Sequence, residues 1–282
     1  MTSLGEVVVV AAIAGCVTGL GALPVLVTDR VSHRVYDGAL GLAAGIMVGA
    51  AVFALIVPGL ELGSPSEVVA GLLLGGTFLL SVNAILPHMH LRFRRDRIEG
   101  TAVVDDPLQD DGGPGTSERE RDEPTVDDHS SAEDLRRAAL VGSTVTIHNV
   151  PEGLAVGIAF ASGETALGFA IATAIAVQNV PDGFAMAVPA ARAGVSRSKT
   201  VLYTTLSGGV PEPIAAAIGF SLVIVVSGLF PIAAGFAAGA MIAVVFRELV
   251  PSSHGHGYAD TATATFILGF ALMLLVDTVL AV

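Results

Sequence analysis

The chain has 282 residues, of which 52% are hydrophobic and 14% charged, and its mean hydropathy is +0.73. Soluble domains carry about 25% charged residues, so this composition excludes an ordinary soluble protein and predicts an all-α, polytopic membrane protein. The net charge is −12, but fourteen acidic residues and only three arginines lie within residues 96–134, so most of the imbalance belongs to one loop.

Eight apolar segments are long enough to cross a bilayer, which takes about 20 residues. The predicted helices are 4–27, 38–60, 67–87, 137–161, 165–190, 200–227, 231–251 and 262–282. No basic region precedes the first segment, so we expect a membrane helix there rather than a signal peptide. Three parts follow from this order: helices 1–3 in residues 1–91, an acidic loop in residues 92–136, and helices 4–8 in residues 137–282.

Residues 98–134 are rich in Asp, Glu, Gly, Pro and Ser and contain few large apolar residues. Such a composition is typical of disorder, so we predict a flexible, solvated loop. All fourteen Lys and Arg residues lie in or beside the predicted connections 1–2, 3–4, 5–6 and 7–8. Positive charges favour the cytoplasmic side. This asymmetry predicts a plasma-membrane protein with an even number of helices and both termini outside the cell.

Two similar polar motifs lie inside the neighbouring predicted helices 4 and 5. They are His148-Asn149-Val150-Pro151-Glu152-Gly153 and Gln178-Asn179-Val180-Pro181-Asp182-Gly183. Residues i and i+4 share a helix face, so the first and fifth residues of each motif face together, and the Asn points about 100° away. Polar and ionisable groups at membrane depth are costly and mark ion or substrate pathways. The repeat therefore predicts a metal site between transmembrane helices.

Each motif contains a proline, which leaves one carbonyl of its helix without an N–H partner. We expect kinks that expose these carbonyls as further oxygen ligands. The alternative is that the polar residues simply satisfy the freed backbone groups. That alternative explains one Asn, but it does not explain an ionisable pair repeated at the same spacing.

Two more acidic residues lie in predicted helices 6 and 7. Glu212 stands between Pro211 and Pro213, and Glu248 follows Arg247. For Glu248, a salt bridge to a neighbouring arginine near the cytoplasmic face is the alternative to a role in ion passage. Met47 in helix 2 is a possible thioether ligand, although a methionine in the apolar core is the commoner case.

The candidate ligands are one imidazole, amide oxygens and carboxylates, with no thiolate cluster. Such a set suits Zn²⁺, Fe²⁺, Mn²⁺ or Cd²⁺. Two histidine pairs lie near the predicted cytoplasmic ends of helices 3 and 7, where they either receive an ion that leaves the site or are interfacial histidines without a ligand. They are His88 with His90, and His254 with His256.

These motifs, with Pro-Glu-Pro at 211–213 and Pro-His-Met-His at 87–90, resemble the ZIP (Zrt/Irt-like) family of metal transporters over all eight helices. The Gln-Asn start of the second motif is similar to the prokaryotic GufA-like branch. The resemblance implies a 3+2+3 helix arrangement with pseudo-symmetry between helices 1–3 and 6–8, a homodimer, and no nucleic-acid partner.

The resemblance also implies a binuclear site. One ion would be held by His148, Glu152, Gln178 and Asp182, with Met47 nearby. The second would be held by Asn149, Asn179 and Glu212, with Glu152 and Asp182 shared, and Glu248 would lie on the exit route. Two residues depart from the family pattern: Asp182 replaces the usual Glu, and Arg247 stands where many members have His.

We therefore expect a transporter that moves divalent metal, most simply zinc, into the cytoplasm by alternating access. No P-loop motif is present, so direct use of ATP is not expected. One alternative is a metal-dependent membrane enzyme, but the sequence contains no HExxH pair. Another is a proton-coupled transporter for a small organic solute, and the sequence leaves the direction and any coupling ion open.

Overall fold

The computed structural model describes residues 2–27, 31–91, 148–192, 194–226 and 228–280. Its regular elements are all helical, with no strand among these residues. The helices are α1 (Leu4–Val27), α2 (His33–Leu62), α3 (Pro65–Leu91), α4 (148–161), α5 (Thr165–Arg192), α6 (Arg197–Val225), α7 (Phe230–Ser253) and α8 (Ala259–Leu280). Seven of them, all except α4, are long and apolar enough to cross a membrane. The prediction of an all-α polytopic membrane protein is confirmed.

Some predicted regions lie outside the described residues. They include the acidic loop and the start of predicted helix 4, of which the structure describes residues 148–161. The three-part division of the chain and the count of eight spans remain predictions.

Several helices extend past the predicted apolar segments. α2 begins at His33 rather than 38, and α3 at Pro65 rather than 67. Hydropathy locates the part of a helix that lies in lipid, whereas its start is set by capping. The Ser32 side chain accepts from the Val35 backbone N–H, and the Ser64 side chain accepts from the Glu67 N–H.

α1 changes to a 3₁₀ helix over Val17–Ala22, and this stretch packs on α5 and α6. Glycines make the close approach possible. A side-chain carbon at Gly21 would lie only 2.5 Å from the Phe184 backbone nitrogen of α5. This close packing places the middle of α1 against the predicted polar motif of α5.

α2 and α7 share a feature that the sequence analysis missed. Each widens into a π-helix, over Ala50–Ile56 in α2 and Val245–Leu249 in α7. Both stretches end in the same short pattern, Phe-x-x-x-Val-Pro, at 53–58 and 246–251. In each stretch the valine N–H donates to the carbonyl of the fifth residue before it, and the proline that follows has no N–H to donate. This match agrees with the expected relation between the two halves of the chain.

The helices pack as two groups. α1, α5 and α6 pack on one another, and α4 lies on α6 at Gly153 and Gly157. In the second group α2 packs on α8, α3 packs on α7, and α2 contacts α7. The groups meet along α2 and α5.

Contacts between helix ends show which connections lie at the same end of the bundle. Arg197, at the start of α6, donates through Nη1 to the carbonyl of Leu26, near the end of α1. Asp37 near the start of α2 contacts His256 between α7 and α8. At the opposite end Thr2 contacts Thr165, at the start of α5. Connections 5–6 and 7–8 thus lie at the end where α1 finishes and α2 begins, away from the N-terminus.

Candidate metal centre

The two polar motifs face each other across α4 and α5. Their prolines are accommodated within continuous helix, and Glu152 and Gln178 are completely buried. The Gln178 amide donates through Nε2 to Oε1 of Glu152 at 2.7 Å. The amide thereby fixes one carboxylate oxygen and leaves the other, Oε2, with no hydrogen-bond partner.

A second amide–carboxylate pair joins α5 to α6. Asn179 Nδ2 donates to Glu212 Oε1 and to the Ala14 carbonyl of α1, both at 2.8 Å. Asn179 and Glu212 are completely buried. Asn179 uses its N–H₂ group for both contacts. Its own oxygen and Glu212 Oε2 have no hydrogen-bond partner.

Asn149 has a different role from Asn179. Its Nδ2 donates to the Ser207 carbonyl of α6 at 2.6 Å. In a regular helix that carbonyl would accept from residue 211, which is a proline. Asn149 therefore satisfies a backbone group freed by Pro211 of α6, not by a proline of either motif.

His148 connects the motif of α4 to α7. Its Nε2 lies 2.5 Å from Glu248 Oε2. These side chains are 16% and 19% exposed, whereas Glu152 and Glu212 are not exposed at all. The pair therefore lies at the accessible edge of the buried polar cluster, on the helix where the π-stretch changes the direction of the side chains.

Asp182 and Met47 complete the predicted set. Asp182 is half-buried on α5 and lies close enough to interact electrostatically with His148, Glu152 and Glu212. Met47 is buried in the apolar core that α2 shares with its neighbours. Arg247, next to Glu248, is exposed.

The cluster has more acceptors than donors. Four buried oxygens from three helices lack a hydrogen-bond partner: Glu152 Oε2, Gln178 Oε1, Asn179 Oδ1 and Glu212 Oε2. Each such group costs about 1–3 kcal/mol if it stays unsatisfied. Carboxylate and amide oxygens are ligands for borderline and hard divalent cations, so this donor set fits such an ion as cargo.

Amide oxygens are needed to complete the set. Within the described ranges, no three or more His, Cys, Asp or Glu side chains are grouped so that they alone could hold a metal ion. The predicted assignment of individual residues to two ions remains a prediction.

Two polar residues beside the cluster were not anticipated. The Ser207 carbonyl is freed by a proline four residues later, a signal that was legible in the sequence. Thr204, one turn earlier on α6, is completely buried and its Oγ1 has no partner. A lone threonine in an apolar segment carries no such signal, because threonines in membrane helices commonly bond to their own backbone.

Comparison with known proteins gives a consistent result. The family model described as ZIP Zinc transporter matches residues 5–277. The chain is 35% identical to Zinc transporter GufA of Myxococcus xanthus, with 97% of this chain and 98% of the relative covered. It is 33% identical to Zinc transporter ZIPB of Bordetella bronchiseptica, over 93% of this chain and 77% of the relative. It is 32% identical to Zinc transporter ZIP11 of Homo sapiens, over 92% and 93% of the two chains.

Proposed function

Because the chain belongs to the ZIP zinc transporter family, we propose that it carries zinc across the plasma membrane into the cytoplasm through the polar cluster of α4, α5 and α6. The family consists of transporters, so the prediction that the protein is not an enzyme is confirmed. The observation that carries the proposal is the set of four unpartnered oxygens buried among three helices. A divalent cation supplies the positive charge that these acceptors lack.

Zinc is the proposed ion because the relatives are named zinc transporters. The ligand chemistry also admits Fe²⁺, Mn²⁺ and Cd²⁺. The site has no thiolate, which argues against a preference for soft ions. Competition among these four ions therefore tests the preference.

We propose that the cluster holds two ions. The first would lie against His148, Glu152, Gln178 and Asp182, near Met47, and the second against Asn179, Glu212 and the shared Glu152 and Asp182. The two separate amide–carboxylate pairs support this division. Asn149 would join the second ion through its oxygen while its N–H₂ group bonds to Ser207.

The amides have a defined task in this proposal. Gln178 and Asn179 each hold one carboxylate oxygen by donating to it, so the other oxygen is positioned before an ion arrives. Such preorganisation lowers the entropy cost of binding. It also spaces carboxylates that would otherwise repel one another in the absence of a cation.

Glu248 is placed to act on the exit route. It contacts His148 across the junction between α4 and α7, at the accessible edge of the cluster. An ion that leaves toward the positively charged end of the bundle must separate this pair or bind to it. Separation of α4 from α7 is the local change that alternating access requires in this proposal.

The membrane potential supplies a driving force for entry. With the cytoplasm negative, each charge gains about 2.3 kcal/mol per 100 mV, so a divalent ion gains roughly 4–5 kcal/mol. The proposed orientation, with both termini outside, follows from the Lys and Arg positions. We further propose a homodimer, as expected from the family resemblance.

Uptake into proteoliposomes tests the function. Purified protein should take up Zn²⁺ saturably, with Fe²⁺, Mn²⁺ and Cd²⁺ as competitors. Glu152→Ala should abolish this uptake, because it removes a carboxylate from both proposed ion sites. Glu164→Ala, which removes an exposed carboxylate between α4 and α5, is the matched control and should transport normally. Saturable uptake that survives in Glu152→Ala would reject the site.

A further inference from the structure

A second group of metal-ligating side chains lies at the end of the bundle where α2 begins. His256, between α7 and α8, places Nδ1 2.8 Å from Oδ1 of Asp37. The His33 ring stacks on the His256 ring with centroids 4.4 Å apart, and Tyr36 meets His256 edge-on at 5.8 Å. His33 and Asp37 are four residues apart, so α2 presents both on one face.

The contact with Asp37 defines what His256 can do. With Nδ1 directed at a carboxylate, which can only accept, Nδ1 is the ring nitrogen that donates, and Nε2 is the one left for a metal ion. Histidines that bind metals almost always donate their other N–H to a carboxylate or carbonyl, which orients the ring and makes it more basic. His256 shows this arrangement, and its side chain is 18% exposed, so an ion can reach it.

Asp37 provides an independent observation. It is completely buried, and its second oxygen, Oδ2, has no hydrogen-bond partner. A buried carboxylate with one unsatisfied oxygen is costly in a membrane protein. A divalent cation bound at the neighbouring imidazoles would offset that cost.

The group also lies close to the proposed ion path. The Tyr36 hydroxyl donates to the Ala185 carbonyl of α5 at 3.3 Å. Ala185 is three residues beyond Asp182, a rise of about 4.5 Å along a helix. Tyr36 therefore connects the histidine group to the turn of α5 that follows the intramembrane cluster.

We propose that His33 and His256 form a second docking site for a divalent metal ion: the ion binds Nε2 of His256, which Asp37 positions, the His33 ring turns out of the stack to supply a second nitrogen, and water completes the coordination. Two imidazoles suit Zn²⁺ and similar borderline ions. A site with two protein ligands binds weakly enough to release its ion. The role of this site as the receiving point for transported zinc rests on the proposed function, whereas its capacity to bind metal does not.

The site is tested by calorimetric titration of zinc into the full-length protein in detergent. All variants carry Glu152→Ala, which impairs the intramembrane cluster. His33→Ala and His256→Ala should each weaken one Zn²⁺-binding event by about tenfold or more, and Asp37→Asn by about 10–100-fold, as for carboxylates that orient a ligating histidine. His254→Ala is the matched control, because its ring contacts Ser253 and the Val250 carbonyl instead of Asp37.

The outcomes separate the alternatives. Unchanged titrations in His33→Ala and His256→Ala would overturn the site. So would an equal loss in His254→Ala, which would show that the titration does not report specifically on His33 and His256. If Asp37→Asn does not fold, the two half-buried histidines still decide the question. Wild type that binds zinc here but shows no uptake would reject the transport function and leave this site standing.

Discussion

At the scale of single residues, the three amides of the polar cluster divide two tasks between them. Gln178 and Asn179 donate to carboxylates and keep their own oxygens free, whereas Asn149 donates to a backbone carbonyl. The difference follows from position. Asn149 faces the part of α6 where Pro211 interrupts the backbone bonding, and the other two face acidic side chains.

Removal of Asn149 should therefore affect stability through Pro211. Asn149→Ala leaves the buried Ser207 carbonyl unsatisfied, which should lower the free energy of unfolding by about 1 kcal/mol, within the range for such groups. Adding Pro211→Ala supplies an N–H to that carbonyl. Thermal melting in detergent should show that Pro211→Ala is less destabilising, or stabilising, when Asn149 is already alanine. An equal effect of Pro211→Ala in both backgrounds would show that the two residues do not share the carbonyl.

At the scale of elements, glycines set how closely the site-bearing helices approach. In α4 a side-chain carbon at Gly153 would lie 2.7 Å from Cα of Glu212 and 2.9 Å from Cβ of Ala215. Backbone atoms cannot move away without separating α4 from α6. The spacing of the polar cluster therefore depends on a residue that contributes no ligand.

Gly153→Ala should reduce zinc uptake at least about tenfold, because displacements near 1 Å are costly at a positioned site. Gly76→Ala in α3 is the matched control, since its added carbon would meet only the Gly239 carbonyl oxygen, at 3.6 Å. Uptake into proteoliposomes, normalised to reconstituted protein, measures both variants. Normal uptake by Gly153→Ala would show that the two helices tolerate a wider spacing.

At the scale of the whole molecule, the polar cluster belongs mainly to one of the two packed groups of helices. Its carboxylates and amides belong to the group of α4, α5 and α6, and the contact of His148 with Glu248 reaches into the other group. A junction held by few polar contacts can open and close. The arrangement is compatible with the proposed alternating access.

Orientation in the membrane can be tested with single cysteines. The chain has one cysteine, Cys16, so Cys16→Ser gives a cysteine-free background. In that background, Glu164→Cys should react with a membrane-impermeant maleimide in intact cells. Tyr258→Cys, in the connection that contains His256, should react only after the membrane is permeabilised. The reverse pattern would invert the proposed topology and with it the direction assigned to the membrane potential.

Much of the site was predictable because its signals are local in the chain. The apolar segments placed the two motifs in neighbouring helices, and the i, i+4 spacing predicted that Glu152 shares a face with His148 and Asp182 with Gln178. The contact between Gln178 and Glu152 is observed at 2.7 Å. By contrast, the pairing of Asp37 with His256 spans 219 positions, and neither residue lies in a motif that points to the other.

The sequence by itself determined that the protein is an all-α membrane protein of the ZIP family with polar motifs inside two neighbouring helices. The sequence determines these features because hydropathy, helical spacing and proline chemistry act over a few residues. Only the tertiary structure decided which groups meet. Asn149 donates to the Ser207 carbonyl, Asn179 donates to Glu212, and His148 contacts Glu248. Those pairings depend on how far glycines and π-helical turns let separate helices approach and rotate, and no single helix contains that information.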